Sequence, residues 1–534
     1  MPKTPLLFLL ALCFWLAAAL IVAQDDEAFD YAGTRECRDC HRAISNVHSD
    51  SPHALTLIEI EEDMDEDENP IVADFALDDE VRSVVFPGED DARIFDLEDV
   101  AYTLGAGRHV QAFVTGNEDD GYFVPPIQWN VSDATWDVLA AGTSEEFIPF
   151  GEQCAGCHTV GLDVEDNYEW EEEGVMCEAC HGPGLLHVEL VDDAGRDIDE
   201  EERAQIYDSI GLALDGAACG QCHVRGLATD GIHPYPVDYF PNLTQLSDAF
   251  EPLSEDDEAF HASGHAALPN MQYNETLISG HPESLVNAQA SENFGAECLS
   301  CHSVTQQLVD LRLSNEDIDP ETVDPLALVE THALGVTCAS CHDAHYIAPD
   351  DADEAMEGQR LRADVDMLCV SCHSDNDLSD GVHYPVQQLY EGTTLVEAVE
   401  AIPGAHFGAE DGPTCATCHM ATIPTYSGER NSHTFAIVAP GEALDIENLQ
   451  DSCSGCHEDV TAPNLQLLID DIQADTRNRI EIAREALNDD TPDWVRVALD
   501  AIEGDGSAGM HNYAYTDELL DAIEAALNLT EANS

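Results

Sequence analysis

Lysine is almost missing from this chain. Lys3 is the only one, and positive charge otherwise rests on seventeen arginines. Against these stand 109 aspartates and glutamates, for a formal net charge of −91 over 534 residues. Such a surface repels phosphate backbones and anionic bilayers, which excludes nucleic acid as a partner. Its plainest use is solubility, and it also suits cationic or metal-bearing redox partners. A second apolar run of spanning length is absent after the N-terminus. The opening run reads as a signal peptide over residues 1–23: Lys3 gives the positive start, Leu6 to Val22 the apolar run, and Val22-Ala23-Gln24 the cleavage site. That implies an exported protein, whether periplasmic, cell-surface or extracellular; an uncleaved N-terminal membrane anchor is the alternative.

No cysteine is left over. Apart from Cys13, inside the apolar run, all eighteen fall into nine C-x-x-C pairs: Cys37/Cys40, Cys154/Cys157, Cys177/Cys180, Cys219/Cys222, Cys298/Cys301, Cys338/Cys341, Cys369/Cys372, Cys415/Cys418 and Cys453/Cys456. Each pair is followed at once by a histidine: His41, His158, His181, His223, His302, His342, His373, His419 and His457. Nine chance matches have a probability of order 10⁻¹². Disulfide frameworks do not need these histidines, and zinc sites do not demand the fifth residue every time. Cysteines at i and i+3 share one face of a helical turn, where they can bond the two vinyl groups of one haem. The adjacent histidine then offers its imidazole to the iron. The sequence therefore predicts nine covalently attached haem c groups.

Fourteen other histidines are available as sixth ligands. His345 follows "CHDA" and His187 follows "CHGPGLL", so each must leave its own motif and can reach a neighbour. His332 and His406 stand just before motifs. His53, His281, His433 and His511 are isolated in polar or turn sequence. His261 and His265 stand at i,i+4, and one of them, His265, completes a predicted distal set of nine. His48, His109, His233 and His383 lie in less distinctive contexts. A sixth ligand restricts an iron to electron transfer, whereas an open position admits substrate. Catalytic residues are not identifiable; Arg108, Arg225 and Arg430 are the arginines best placed to meet an anionic substrate.

The motifs are unevenly spaced. Residues 24–54 hold the first haem segment, and 55–150 a haem-free β-rich subdomain with runs such as "EVRSVVF", "HVQAFVT" and "GYFVPPIQWNV". Residues 151–460 form an eight-haem body, and 461–534 a helical tail. In that tail Leu465, Leu468, Ile469, Ile472 and Ile480 recur at helical spacing, and a second helix is predicted from Asp517 to Leu527. The tail can pack on the body or form a dimer. The fold class is thus mainly α with little regular structure, a small β-rich insertion after the first haem, and C-terminal helices.

"TRECRDCH…SPHA", "EQCAGCH…GVMCEACHGPGLLH" and "GVTCASCHDAH" resemble a family of exported multihaem cytochromes c. That family is related to the tetrahaem carrier of ammonia oxidisers and to octahaem hydroxylamine-oxidising and tetrathionate-reducing enzymes. "CATCHM…NSHTF" and "DGSAGMHNYAYTDELL" are similar to the C-terminal haem region of pentahaem ammonia-forming nitrite reductases. There the counterpart of His511 is a distal ligand at the start of a long helix. Two departures stand out: the C-x-x-C-K motif of those reductases is absent, and nine motifs exceed the usual four, five or eight. The resemblance implies the fold class and haem stacking and leaves the chemistry open. The reading adopted is a respiratory electron relay through stacked, mostly bis-histidine haems, serving redox proteins or extracellular acceptors. A terminal reductase of a nitrogen or sulfur oxyanion, or of metal, at a five-coordinate haem is the alternative. A polymeric cytochrome filament is a further one.

Overall fold

The computed structural model describes residues 29–529 except 62–63, 65–68, 79, 140–145, 195–197, 256, 314–322, 332, 346–358, 375–382, 410–411, 427 and 444–448. The expected signal segment with Cys13, and His332, lie outside the described residues. Among the described residues no helix is long and apolar enough to cross a membrane.

The β-prone runs build a seven-stranded antiparallel sheet. Its strands are β1 (Leu57–Glu59), β2 (Tyr102–Leu104), β3 (Val110–Asn117), β4 (Gly121–Val124), β5 (Ile127–Asn130), β6 (Thr135–Val138) and β7 (Ile148–Pro149). The spatial order is β1-β2-β3-β4-β7, with β5 pairing β3 and β6. β4 and β5 run successively along β3, parted by Pro125 and Pro126, which cannot donate to a ladder. β3 turns into β4 through Gly116 at φ 113°, where a Cβ would collide with the carbonyl oxygen of Gly121.

Alternation along β3 sends successive side chains to opposite faces, and both faces are buried. Phe113 joins Phe86, Phe95, Trp129 and Trp136 on one side. Arg82, 2% exposed, is held there by the carbonyls of Phe75 (2.6 Å), Phe95 (2.7 Å) and Leu77 (3.0 Å). Ala112 and Val114 face the other way, onto Leu57, Phe150, Ala155 and Cys154. The sheet thereby seats the second C-x-x-C-H motif on an apolar bed.

Elsewhere regular structure is short. The helices used below are α1 (Thr34–Cys40), α2 (Arg42–Ser49), α3 (Cys177–His181), α4 (Leu185–Ala194), α5 (Gly216–Gly220), α6 (Cys338–Cys341), α7 (Val365–Val370) and α8 (Cys415–His419). Longer helices appear only at the C-terminus: α9 (Ala462–Ala486), α10 (Asp493–Gly504) and α11 (Tyr513–Ala526). Ile480 and Ala483 of α9, Leu499 and Ile502 of α10, and Leu519 and Ile523 of α11 share one core with Leu389 and Val396 of the body. Full burial of each large aliphatic side chain is worth about 1.5–3 kcal/mol. The tail thus packs on the body, the first of the two alternatives.

The structure corrects three details of the tail. α10 had no place in the sequence reading. α11 begins four residues before Asp517, because the Asn512 side chain accepts the N–H of Tyr515 and caps it there. Leu468 is 54% exposed, so the buried stripe of α9 runs through Leu465, Thr476, Ile480 and Ala483 instead.

Candidate haem centres

Each motif closes on itself before meeting anything else. The N–H of the motif histidine donates to the carbonyl of the first cysteine at His41 (2.8 Å), His223 (3.0 Å), His342 (2.9 Å), His373 (2.9 Å) and His457 (3.1 Å). That bond spans one helical turn and puts both thiols on one face. Local caps fix the turns. The Asp215 carboxylate accepts Ala217 N–H ahead of Cys219, Asp364 accepts Asp366 and Met367 ahead of Cys369, and Asp451 accepts Cys453 and Ser454. None of the eighteen motif cysteines is paired in a disulfide.

The motif histidines face other histidines. Ring centroids stand 6.3 Å apart for His223 and His53, 5.8 Å for His181 and His345, 5.7 Å for His302 and His383, and 6.3 Å for His342 and His433. They are 6.2 Å apart for His373 and His281, 6.1 Å for His419 and His511, and 6.0 Å for His457 and His406. Two imidazoles on opposite sides of one metal, each bound at about 2 Å, place their centroids about 6 Å apart. His187 lies where the charge of His41 bears on it. It is carried by α4, which starts after Gly182 (φ 79°) ends α3. The Gly182 N–H closes on Glu178, and a Cβ there would strike the carbonyl of Pro241.

The far side of each ring shows the same logic. Nδ1 donates to a carbonyl in His181 (Gly211, 2.6 Å), His342 (Gln359, 2.8 Å), His419 (Phe435, 3.0 Å), His302 (Ser284, 3.1 Å), His187 (Ile206, 3.1 Å) and His433 (Asn431, 3.1 Å). In His511 it donates to the Asp505 carboxylate at 2.5 Å. Tying Nδ1 fixes the tautomer that leaves Nε2 free for a metal. Burial pushes His53, His158, His373 and His433 down to about 4, keeping those imidazoles neutral. His511 goes up: burial opposes its charge, but the bond to Asp505 outweighs it.

Two histidines spend the ligating nitrogen elsewhere. His48 bonds the Val175 carbonyl through Nε2 (2.8 Å), and His233 bonds Tyr168 through Nε2 and Asp230 through Nδ1. His265, included in the predicted distal set, is fully buried; its Nδ1 bonds Ser432 (2.8 Å) and Thr434, and its Nε2 has no hydrogen-bond partner among the described residues. His383, outside that set, meets His302 instead. His109 is exposed at the end of the loop before β3. His158 has no facing histidine among the described residues, and its Nδ1 is buried without a partner. Buried polar atoms of His261, Ser263 and His265 are likewise unpaired. Of the three arginines singled out, Arg430 is tied to the buried Glu275 at 2.7 Å, Arg225 bonds Pro269 and Tyr426, and Arg108 is exposed.

The motifs also touch one another. Cys37 lies beside Cys177, bringing the first motif against the third. Gln221 donates to the Ala179 carbonyl (2.6 Å), joining third to fourth, and Cys219 lies beside Cys338, bringing fourth against sixth. Cys341 sits within electrostatic reach of Cys369 and Cys372 of the seventh motif. Cys369 lies beside Cys415, and Ser452 donates to the Cys418 carbonyl (3.0 Å), leading through the eighth motif to the ninth. Two contacts branch off: the Cys222 thiol reaches the Cys157 carbonyl (4.0 Å), and the Cys301 thiol the Ser371 carbonyl (3.8 Å) beside Cys372. Paired cysteines on one turn and imidazoles facing one another about 6 Å apart, several with Nδ1 tied to a carbonyl, fit haem.

Comparison with known proteins agrees. A family profile described as cytochrome c554 and c-prime matches residues 138–182, around the second and third motifs. The outer cell wall cytochrome OcwA superposes with a TM-score of 0.71 at 25% identity, over 93% of this chain and 99% of that one. The chain is a multihaem c-type cytochrome. The undecahaem cytochrome from the S-layer of Carboxydothermus ferrireducens shares the fold with this cytochrome at a TM-score of 0.58 and 20% identity, over 94% of this chain and 70% of the other. No curated protein matches the cytochrome by sequence.

Proposed function

We propose that this cytochrome is an exported nonahaem electron relay. Nine haems are attached at the eighteen cysteines, with the nine motif histidines as proximal ligands. His187, His53, His345, His383, His433, His281, His511 and His406 serve as distal ligands to the irons of His41, His223, His181, His302, His342, His373, His419 and His457 respectively. Bound haem supplies one-electron redox chemistry at its iron. The observation that carries this reading is the unbroken series of motif-to-motif contacts from Cys37 to Cys456. By holding successive attachment points against each other, the chain sets successive cofactors side by side. The likeness to OcwA supports a cell-surface setting and acceptors outside the cell.

His158 favours a second activity at one position. With no facing histidine among the described residues, its iron would keep a site for a small ligand, as a reductase needs. Intact mass and electron paramagnetic resonance of the purified protein test both readings. Nine haems, eight low-spin and one high-spin, are expected. Fewer than nine overturns the nonahaem reading, and a wholly low-spin spectrum overturns the open site.

A further inference from the structure

The series of contacts has two ends, and they differ in charge. Of the eighteen motif cysteines only Cys40 and Cys456 are exposed, one at each end. At the last motif Glu442, Glu458 and Asp459 are exposed, and no lysine or arginine occurs between Arg430 and Arg477. At the first motif Arg35 and Arg38 on α1 and Arg42 on α2 are exposed. Three of the seventeen arginines thus fall in eight residues around Cys37, Cys40 and His41. Other arginines are committed: Arg82 to carbonyls, Arg430 to Glu275, Arg479 and Arg484 to acidic side chains. Among the described contacts Arg35, Arg38 and Arg42 have no carboxylate partner, although Glu36 and Asp39 stand in the same segment.

Resting on the relay reading, we infer that the Arg35–Arg38–Arg42 face is a docking site for a small redox-active polyanion, which exchanges electrons with the cytochrome at the first motif.

Charges are screened beyond about 8 Å at physiological salt, so an approaching ion responds to these arginines rather than to the distant net charge. Guanidinium forks suit oxyanions and other delocalised anions. The partner is small because a protein footprint of about 800 Å² per side would also cover the surrounding carboxylates. At the last motif the same ion meets exposed Glu442, Glu458 and Asp459 with no arginine nearby in sequence, so the first end of the relay is selected over the last. The transfer is outer-sphere: one electron leaves the reduced protein and one ferricyanide becomes ferrocyanide, with no bond made or broken.

Stopped-flow oxidation of the fully reduced protein tests the site with ferricyanide and with hexaammineruthenium(III) as a cationic counterpart. The triple variant R35Q/R38Q/R42Q should lose about tenfold in ferricyanide rate at low ionic strength. Its rate with the ruthenium complex should not fall, R35K/R38K/R42K should keep most of the wild-type rate, and R477Q should be unchanged. A glutamine triple variant with wild-type haem mass and a ferricyanide rate within about twofold of wild type overturns the site. Wild type alone also decides. Its ferricyanide rate must fall as salt rises from about 10 to about 200 mM, and a rising rate overturns the inference whatever the variants do. Haem mass and the number of electrons taken up in a reductive titration are read first, so a failure of the relay reading shows there.

Discussion

Glu275 shows how much of a haem protein rests on residues that touch no haem. Its fully buried carboxylate accepts two bonds from Arg430 (2.7 and 2.8 Å), the N–H groups of His433 (2.7 Å) and Ala266 (2.9 Å), and the Ser432 hydroxyl (3.0 Å). Burial pushes its pKa up, but these bonds outweigh burial and hold the carboxyl below the ordinary range. A group depressed in the folded state contributes stability above its unfolded value, near pH 4.3, and that contribution is lost as pH falls through the folded value. E275Q leaves Arg430 buried without its counter-charge and should cost about 3–5 kcal/mol at pH 7 by denaturant titration. E275Q/R430M should recover part of that loss and flatten the acid limb of the stability profile. A single variant no less stable than wild type would remove the ion pair from the account. The sequence singled out Arg430 but not its partner: "NETL" is an ordinary helical acidic segment, and only tertiary packing brings Glu275 to it.

Among elements, legibility followed chemical necessity. The nine C-x-x-C-H turns are readable as a set because the same cysteine spacing and following histidine recur in one short local pattern. The strands were readable from β-branched and aromatic runs, as in "HVQAFVT", whose middle forms β3. Distal partners are harder to read, because a lone histidine carries no local signature; His383, outside the expected set, faces His302 only once the chain is folded. The helix α10 escaped because "DWVRVALDAIEG" is short and lies next to a longer pattern. Its Leu499 is fully buried and Leu468 of α9 is 54% exposed, which separates their expected behaviour. L499A should cost about 2–5 kcal/mol and expose the tail to limited proteolysis with the haem content intact. L468A should stay within about 0.5 kcal/mol of wild type. Equal effects of the two would contradict the packing of the tail.

Over the whole molecule, 109 acidic residues against 18 basic ones make the folded chain strain against itself. Like charges at this density favour expansion, and salt relieves them. The thermal unfolding midpoint should therefore rise between about 10 and about 150 mM sodium chloride. A midpoint that falls would mean that attractive pairs, such as the Arg479 cluster with Asp517, Asp521 and Glu524, outweigh the repulsion. The spatial order of the motifs was invisible in the sequence, since contacts such as Cys219 with Cys338 join segments more than a hundred residues apart.

That order gives the relay the shape of a road with two side streets. On the proposed reading, the second motif hangs off the fourth through Cys157 and Cys222, and the fifth off the seventh through Cys301 and Cys372. Damage at either spur leaves the through route open, whereas damage at the fourth or seventh motif cuts it and strands a neighbour as well. Traffic between the ends is thus most vulnerable at two crossroads deep in the body. On the same reading, a small ligand taken up at the His158 spur would leave the through route open.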